Sequence, residues 1–284
     1  MKSNVYLSII ASALLLTTSF LEYDSTILKE SHNYNVSGDE KEIVFAETFE
    51  GVHPFSTAVG IENCGLDYAM QFVSSPVFNG SKAVRFEIKK DQPLVGSSQK
   101  VRSEVAIVRA SREMWYSYAV YFPSKGMEFD TKRECITQWY EDGSDETSIR
   151  NEKNKAFLEV CPPLGSTTLT KYDLFGTSIT SNLGASTASL TSFVNIPKDS
   201  WHQFVFHFIH SKGSDGLIEV WRDGLKIHNI IGRNMHLKYP KWKLGLYKAS
   251  FLHKSSLSNS RVIYFDDIKV GNTDANLSSM MSSN

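Results

Sequence analysis

The sequence lacks the features that mark several protein classes. Its formal net charge is only −1, so no excess of one sign indicates nucleic acid or an anionic membrane surface. No apolar run reaches the roughly 20 residues of a membrane-spanning helix. Helical periodicity is almost absent between residues 43 and 271. An acidic ligand would therefore have to be bound by a local cluster of basic residues.

Cysteine is also scarce. The three residues Cys64, Cys135 and Cys161 are too few for a disulfide scaffold, and their spacing is not that of a zinc site. Cys135 and Cys161 can pair if their strands are neighbours, which leaves Cys64 as a thiol. The alternative is that all three are small buried hydrophobic side chains.

The two ends of the chain differ in composition from its middle. Lys2 precedes an apolar stretch at residues 5–16 and then small polar residues, a pattern that predicts a secretory signal peptide over residues 1–19. An uncleaved signal anchor is the alternative. Residues 20–42 are polar and unpatterned, which indicates a linker. Residues 272–284 are rich in Ser and Asn and predict a disordered tail.

Between these ends, apolar and polar residues alternate in short runs. Phe204, Phe206 and Phe208, for example, fall on one face of a strand. Residues 217–221 and 225–230 flank an Asp-Gly pair, which supplies the positive φ angles of a tight hairpin turn. About a dozen such runs without an internal repeat predict one all-β domain over residues 43–271, folded as a two-sheet antiparallel sandwich.

Three strand motifs present polar side chains on one face. Period-2 geometry places Arg102 with Glu104, Gln138 with Tyr140, and Lys243 with Gly245 and Tyr247. Glycine between Lys243 and Tyr247 leaves room for a ligand to lie flat on the strand. A neighbouring ammonium group favours a phenolate and so lowers a tyrosine pKa from about 10. Taken singly, each motif is better explained by solvated ion pairs and structural hydrogen bonds than by catalysis.

The order of the motifs resembles that of jelly-roll polysaccharide lyases, above all the glucuronan-lyase and heparin-lyase-like group, which is related to the alginate lyases. The resemblance covers residues 43–271 and implies a β-jelly-roll sandwich. Tyr140 departs from the family pattern, which has His at this position. The matching segments are Phe49-Glu50-Gly51, Arg102-Ser103-Glu104, Trp115-Tyr116 to Phe122-Pro123, Gln138-Trp139, Trp201-His202, Gly216 to Gly224, Lys243 to Tyr247, and Tyr264 to Ile268.

The resemblance implies β-elimination from a uronate chain. Arg102 and Gln138 would neutralise the carboxylate, Tyr247 would act as base and acid, and Lys243 would tune it. Without the histidine, one tyrosine would serve both steps, which favours glucuronan-like or mannuronate-like substrates. Further substrate contacts are expected from Glu104, Tyr140, Arg85, Lys248 and His253, the last as a replacement for the missing base.

The resemblance also bears on metal ions, cofactors, binding partners and the location of the protein. Related jelly rolls hold a structural Ca²⁺ where Glu50, Gly51 and Asp266 lie here, and carboxylate and backbone oxygens suit that ion. No cofactor is expected for catalysis. The expected protein is a secreted monomer that binds acidic polysaccharide, without nucleic acid or a stable membrane anchor. A basic surface for the chain is expected from Lys82, Arg85, Lys89, Lys90, Lys100, Arg102, Lys238, Lys241, Lys243 and Lys248.

Two alternatives have other functions on the same fold, because a fold does not fix a function. Tyr140 in place of His favours a non-catalytic carbohydrate-binding module or an inactive lyase relative. A retaining β-sandwich hydrolase needs two carboxylates about 5 Å apart. No strand carries the Glu-x-Asp-x-x-Glu pattern typical of that class, so the sequence favours a lyase.

Overall fold

Two antiparallel sheets make up the part of the chain that the structure describes. The computed structural model describes residues 42–128, 130, 132, 134–140, 156–161, 177–183, 186–192, 197–232, 234–235 and 238–282. The predicted signal peptide and nearly all of the predicted linker lie outside these residues.

Fifteen strands and two short helices form in the described residues. In chain order they are β1 (Ile43–Glu47), β2 (Gly60–Glu62), β3 (Met70–Val73), β4 (Ala83–Lys89), β5 (Arg102–Arg109), β6 (Glu113–Tyr121), β7 (Cys135–Tyr140), β8 (Ala156–Cys161), β9 (Thr177–Leu183), β10 (Ser186–Ser192), β11 (Trp201–Ile209), β12 (Leu217–Arg222), β13 (Leu225–Ile231), β14 (Lys241–Tyr247), α1 (Ala249–Leu252), β15 (Ser260–Gly271) and α2 (Leu277–Met280).

The strands are divided between a sheet of eight and a sheet of seven. The eight-stranded sheet has the order β13-β12-β11-β6-β15-β4-β3, and β1 pairs with β15. The seven-stranded sheet has the order β10-β9-β8-β7-β14-β5-β2. All strand pairs are antiparallel, and many neighbours in space are distant in sequence, as in a jelly roll. The predicted all-β jelly-roll sandwich is confirmed.

The core between the sheets follows the period-2 pattern. From the eight-stranded sheet, Phe204, Phe206 and Phe208 are almost fully buried, as predicted. From the seven-stranded sheet, Trp242 and Leu244 are fully buried. Burial of one large apolar side chain contributes roughly 1.5–3 kcal/mol, so this alternation fixes which face of each strand points outward. The outward faces of β5, β7 and β14 therefore carry the polar motifs.

The predicted hairpin is also present. β12 and β13 pair through a turn in which Asp223 and Gly224 have φ angles of 51° and 78°. Asp tolerates this left-handed conformation better than most residues, and glycine adopts it without steric cost. The turn residues thus fix the register of the two strands.

The C-terminal segment differs from the prediction of a disordered tail. Asn276 caps α2 by accepting hydrogen bonds from the amides of Ser278 (2.9 Å) and Ser279 (3.2 Å). Met280 and Ala275 are buried in one apolar cluster with Trp115 of β6. The segment is rich in polar residues, but its few apolar side chains cover tryptophan on the outer face of the eight-stranded sheet. Composition alone did not show this tertiary contact.

The described residues bear on the predictions for cysteine pairing and for membrane-spanning helices. Cys135 is buried, and its thiol donates to the carbonyl of Thr137 at 3.3 Å. The side chain of Cys161 lies outside the described residues, so its pairing with Cys135 stays a prediction. Within the described ranges, no helix is long and apolar enough to cross a membrane.

Candidate active site

The three predicted motifs lie on three adjacent strands. β14 pairs with β7 on one side and with β5 on the other. Lys243 is opposite Gln138, and Tyr247 is opposite Arg102. Because the apolar residues of these strands face the core, the polar residues share the outer face of the seven-stranded sheet. The fold thus brings together Arg102, Glu104, Gln138 and Lys243. Tyr140 lies opposite Lys241 at the start of β14, and Tyr247 lies opposite Arg102 at its end.

Gly245 has a different role from the one predicted. Its φ angle is +133°, and a Cβ added there would lie 2.2 Å from the carbonyl oxygen of Ser103 and 2.8 Å from Cα of Glu104. The pairing of β14 with β7 is irregular between Leu244 and Tyr247. Glycine is therefore required by the close approach of the β5 backbone, and the interpretation as space for a ligand is wrong.

Glu62 of β2 joins the two cationic side chains, and sequence reasoning missed it. Its Oε2 lies 2.7 Å from NH1 of Arg102 and 2.7 Å from Nζ of Lys243. The ammonium of Lys243 also lies 4.9 Å from the centroid of the Tyr140 ring. The contacts of Lys243 are therefore with Glu62 and Tyr140, whereas its predicted influence on Tyr247 stays a prediction.

Glu104 lies at the centre of the group. The side-chain amide of Gln138 donates to Oε1 of Glu104, and Oε2 is buried without a hydrogen-bond partner. Burial raises the pKa of Glu104, and the opposing effects of Lys243, Gln138 and Arg102 do not cancel it. A carboxyl group in such surroundings holds its proton to a higher pH than an exposed one.

Tyr247 ends β14 on the same outer face. Leu246 is fully buried in the core, whereas Tyr247 is half-buried and outside the core cluster. Tyr140 is half-buried at the end of β7. Tyr140 and Tyr247 therefore lie towards opposite ends of β14, with Lys243 between them along the strand.

Lys248 is buried in the protein, so its side chain is not on the surface where substrate contact was predicted. Its side chain is fully buried, and its ammonium binds Glu134, the carbonyl of Lys132 at 2.6 Å, and Asp130 at 3.5 Å. Arg261 joins the same group, with Nε 3.2 Å from Glu134 and NH2 3.4 Å from Asp130. This buried ion cluster, comprising Asp130, Glu134, Lys248 and Arg261, attaches the residues before β7 to the ends of β14 and β15.

The buried ion cluster also lowers the pKa of Asp130. Burial alone would raise the pKa of Asp130, but hydrogen bonds from Ser256 and the amide of Lys132, with the charge of Lys248, outweigh it. The net result is a pKa well below the ordinary range for Asp. Asp130 is therefore ionised at neutral pH, and the cluster contributes to the architecture beside the site.

Arg85 also lies apart from the site. It belongs to β4 in the eight-stranded sheet, and its guanidinium binds Glu87 at 2.6 Å and Gln71 at 3.1 Å. Lys82 and Lys89 lie on or beside the same strand, so the expected basic residues do not form one surface. His253 is exposed at the end of α1, and its role as a replacement base stays a prediction.

The residues proposed for calcium do not fit that ion. Glu50 accepts hydrogen bonds from the amides of Ser81 and Lys82 and from the Ser81 hydroxyl, at 2.6–2.9 Å. Asp266 accepts from the amides of Phe78, Asn79 and Asp267. The carboxylates hold the loop at residues 78–82, Gly51 adds no side-chain ligand, and the described part of the chain contains no group of three or more acidic, His or Cys ligands.

The sequence patterns around Glu62, Glu134 and Arg261 gave only weak signals for their buried contacts. Glu62 belongs to a strand of three residues, too short for a period-2 pattern. Arg261 and Glu134 each precede an apolar run, where a charged residue is ordinarily solvated. Their burial arises from long-range contacts between segments that are separate in sequence.

Comparisons with known proteins identify the family and the fold. The model of the polysaccharide lyase family matches residues 39–269. The fold is similar to that of endo-beta-1,4-glucuronan lyase from the fungus Trichoderma reesei, with 16% identity, a TM-score of 0.60, and coverage of 83% of this chain and 98% of that chain. Alginate lyase Aly36B is 12% identical, with a TM-score of 0.49 and coverage of 81% and 96%.

A search of curated proteins finds no match to the chain. The family match nevertheless extends over most of the sequence and includes every strand that carries the site. The solved structure of the glucuronan lyase also covers most of the chain and has the same type of fold. The chain therefore belongs to the polysaccharide lyase family.

Proposed function

We propose that this polysaccharide lyase cleaves uronate-containing chains by β-elimination on the outer face of β5, β7 and β14. The observation that carries the proposal is the placement of Tyr247 on the same face as two buried or half-buried cations, Arg102 and Lys243. A uronate offers a carboxylate for cations and an acidic C5 proton for a base. The residue types on this face match both needs.

The chemistry requires three contributions from the protein. The carboxylate at C6 must be neutralised, because removal of the C5 proton otherwise places more charge on an anion. A base takes the C5 proton, the C4–O4 bond breaks as the C4=C5 double bond forms, and an acid protonates O4. We assign neutralisation to Arg102 and Gln138, with Glu104 and Lys243 as neighbours, and both proton transfers to Tyr247.

The substrate class follows from stereochemistry. In glucuronate and mannuronate, the C5 hydrogen and O4 lie on the same face of the sugar, so one tyrosine can serve as base and then as acid. Guluronate and iduronate place these groups on opposite faces and need two residues. Since Tyr140 stands in the place of the family's His, glucuronan-like or mannuronate-rich chains are the proposed substrates. The similar fold of the Trichoderma reesei enzyme, a glucuronan lyase, is consistent with this choice.

A non-catalytic carbohydrate-binding role is the second candidate. Two observations favour it, the tyrosine at position 140 and the ion pairs that occupy both cations through Glu62. Binding without turnover would require only that a sugar chain rest on this face. A lyase would both bind and cleave the chain, whereas a carbohydrate-binding protein would bind it without cleavage.

We also propose that the protein is exported. The support is the sequence pattern of residues 1–19, in which Lys2 precedes an apolar stretch. An acidic polysaccharide too large to enter a cell is met outside it. Expression of the full chain with detection of the mature protein in the medium tests this, and retention of an unprocessed chain in the membrane fraction would support a signal anchor instead.

The test of the reaction is an ultraviolet assay for unsaturated uronate. Purified protein is incubated separately with glucuronan, mannuronate-rich alginate, guluronate-rich alginate, heparin and hyaluronan. Absorbance should rise with glucuronan or mannuronate-rich alginate. Measurable binding without a rise on any of the five chains would support the carbohydrate-binding candidate, and fragments without absorbance would indicate hydrolysis.

A further inference from the structure

One carboxylate oxygen serves two cations at the candidate site. Oε2 of Glu62 lies 2.7 Å from both NH1 of Arg102 and Nζ of Lys243. A uronate carboxylate would form the same two charge-assisted contacts with Arg102 and Lys243. The chain thus already places a carboxylate against the cations assigned to the substrate.

Glu62 is also the most accessible member of this triad. Its side chain is 25% exposed, compared with 16% for Arg102 and 3% for Lys243. It belongs to β2, which has three residues and, among the described strands, pairs with β5 alone at the edge of its sheet. An edge strand with so few contacts can yield at a small free-energy cost. A solvent-borne anion would therefore meet Glu62 before it meets the two cations.

The contact geometry favours exchange over simple addition. NH1 of Arg102 and Nζ of Lys243 both lie 2.7 Å from the same oxygen of Glu62. A substrate carboxylate that binds these two donor atoms takes the place of that oxygen. If the substrate's carboxylate replaces that of Glu62, both cations keep an anionic partner and the released carboxylate returns to water.

We propose that Glu62 sets the affinity for uronates by competing with the substrate's carboxylate for Arg102 and Lys243. This inference rests on the proposed function, since it takes the substrate to be a uronate chain. A uronate exchanges its carboxylate for that of Glu62 and so restores both contacts. A neutral sugar has no carboxylate to exchange and leaves the ion pairs of Glu62 in place, so its affinity does not depend on Glu62.

Glu62→Gln tests the competition because it keeps the size of the side chain and removes its charge. We expect KM for glucuronan to fall about five-fold, which corresponds to about 1 kcal/mol, with kcat unchanged. Asp215→Asn is the matched control, since it removes one exposed charge far from β2 in sequence and strand order. Its KM should equal that of the wild type. A rise in KM or a fall in kcat for Glu62→Gln would mean that Glu62 holds the cations in place, and would overturn the proposal.

Binding measurements separate this inference from the reaction itself. Calorimetry with Tyr247→Phe, alone and combined with Glu62→Gln or Glu62→Ala, uses glucuronan oligosaccharides and neutral cellulose oligosaccharides. Only the glucuronan Kd should fall when Glu62 is replaced. If wild type cleaves no uronate but this fall is seen, the proposed reaction fails and the competition stands. If wild type cleaves glucuronan and folded variants show no fall, the competition is overturned alone.

Discussion

The side-chain amide of Gln138 donates a hydrogen bond to Oε1 of Glu104, although β7 and β5 lie on opposite sides of β14 and do not pair. The contact ties together the three strands of the candidate site across their outer face. It also leaves Oε2 of Glu104 buried without a hydrogen-bond partner. A neutral Glu104 would carry a hydrogen that it can donate to a bound carboxylate.

The titration of Glu104 predicts how stability depends on pH. Burial raises its pKa in the folded protein, so the folded state binds more protons than the unfolded state over the range between the ordinary and the raised pKa. This contribution is fully present below the ordinary pKa of Glu and is lost as pH rises through the raised value. Glu104→Gln cannot lose a proton, so the wild type should lose stability relative to this variant as pH rises.

Urea unfolding of both proteins between about pH 4 and pH 8 measures this difference. The free energy of unfolding of the wild type, minus that of Glu104→Gln, should decrease with rising pH. Parallel curves would show that Glu104 titrates as an exposed carboxyl, and the account of its burial would then be incorrect.

Replacement of Tyr247 tests the assignment of proton transfer. Tyr247→Phe keeps the ring and removes the hydroxyl, so the loss should fall on the transition state rather than on binding. We expect kcat to fall by at least about 10²–10⁴-fold, with Kd for glucuronan oligosaccharides nearly unchanged. Steady-state kinetics and calorimetry on the same preparation provide both values.

Tyr140→Phe is the matched control on the neighbouring strand. It should reduce kcat far less than Tyr247→Phe, while Tyr140→His should extend activity towards guluronate-rich alginate by supplying a second proton-transfer group. Near-complete loss in both Phe variants would mean that the two tyrosines share the chemistry, and the single-tyrosine mechanism would have to be abandoned.

Gly245 should tolerate no side chain. An added Cβ would meet the Ser103 carbonyl at 2.2 Å, and the backbone has a positive φ. Strain and overpacking together predict a loss of roughly 3 kcal/mol or more for Gly245→Ala. Gly60→Ala adds a Cβ with nothing within 4 Å and no positive φ, so thermal unfolding should shift little. Equal shifts in the two variants would contradict the close approach of β5.

The buried ion cluster predicts a strong effect of Lys248. Lys248→Met leaves Glu134 and Asp130 short of a cationic partner, which should cost about 3–5 kcal/mol of unfolding free energy. Lys254→Met breaks an exposed pair with Asp91 at 3.4 Å and should have little effect. Urea unfolding at neutral pH compares the two variants. Wild-type stability in both would show that the cluster does not hold the segment before β7.

The sequence predicted the sandwich because apolar alternation is a local property. The Phe residues of β11 and the Asp-Gly turn each fix a face or a register within one segment. The strand motifs likewise showed which polar residues share a face. Their approach across β5, β14 and β7 came only from the resemblance to a family, since pairing between distant strands has no local pattern.

Most failures of prediction have a common physical cause. Lys248 was expected to bind substrate as part of a basic surface, yet its acidic partners come from segments distant in sequence. Glu62 was missed because its two cations lie on other strands. The α2 segment was expected to be disordered because it is rich in Ser and Asn, yet its apolar residues pack with Trp115 of β6. In these cases, a contact between residues distant in sequence overrides composition, whereas Arg85 pairs with Glu87 on its own strand and lies in the other sheet.

Mass spectrometry of the fragments released from glucuronan tests elimination most directly. β-Elimination breaks the chain without adding water, so each cleavage should yield one fragment lighter by one water than the corresponding hydrolysis fragment, with an unsaturated uronate at its end. The same fragments should be missing when Tyr247→Phe is used. Fragments that all carry the full hydrated mass would contradict elimination as the reaction of this site.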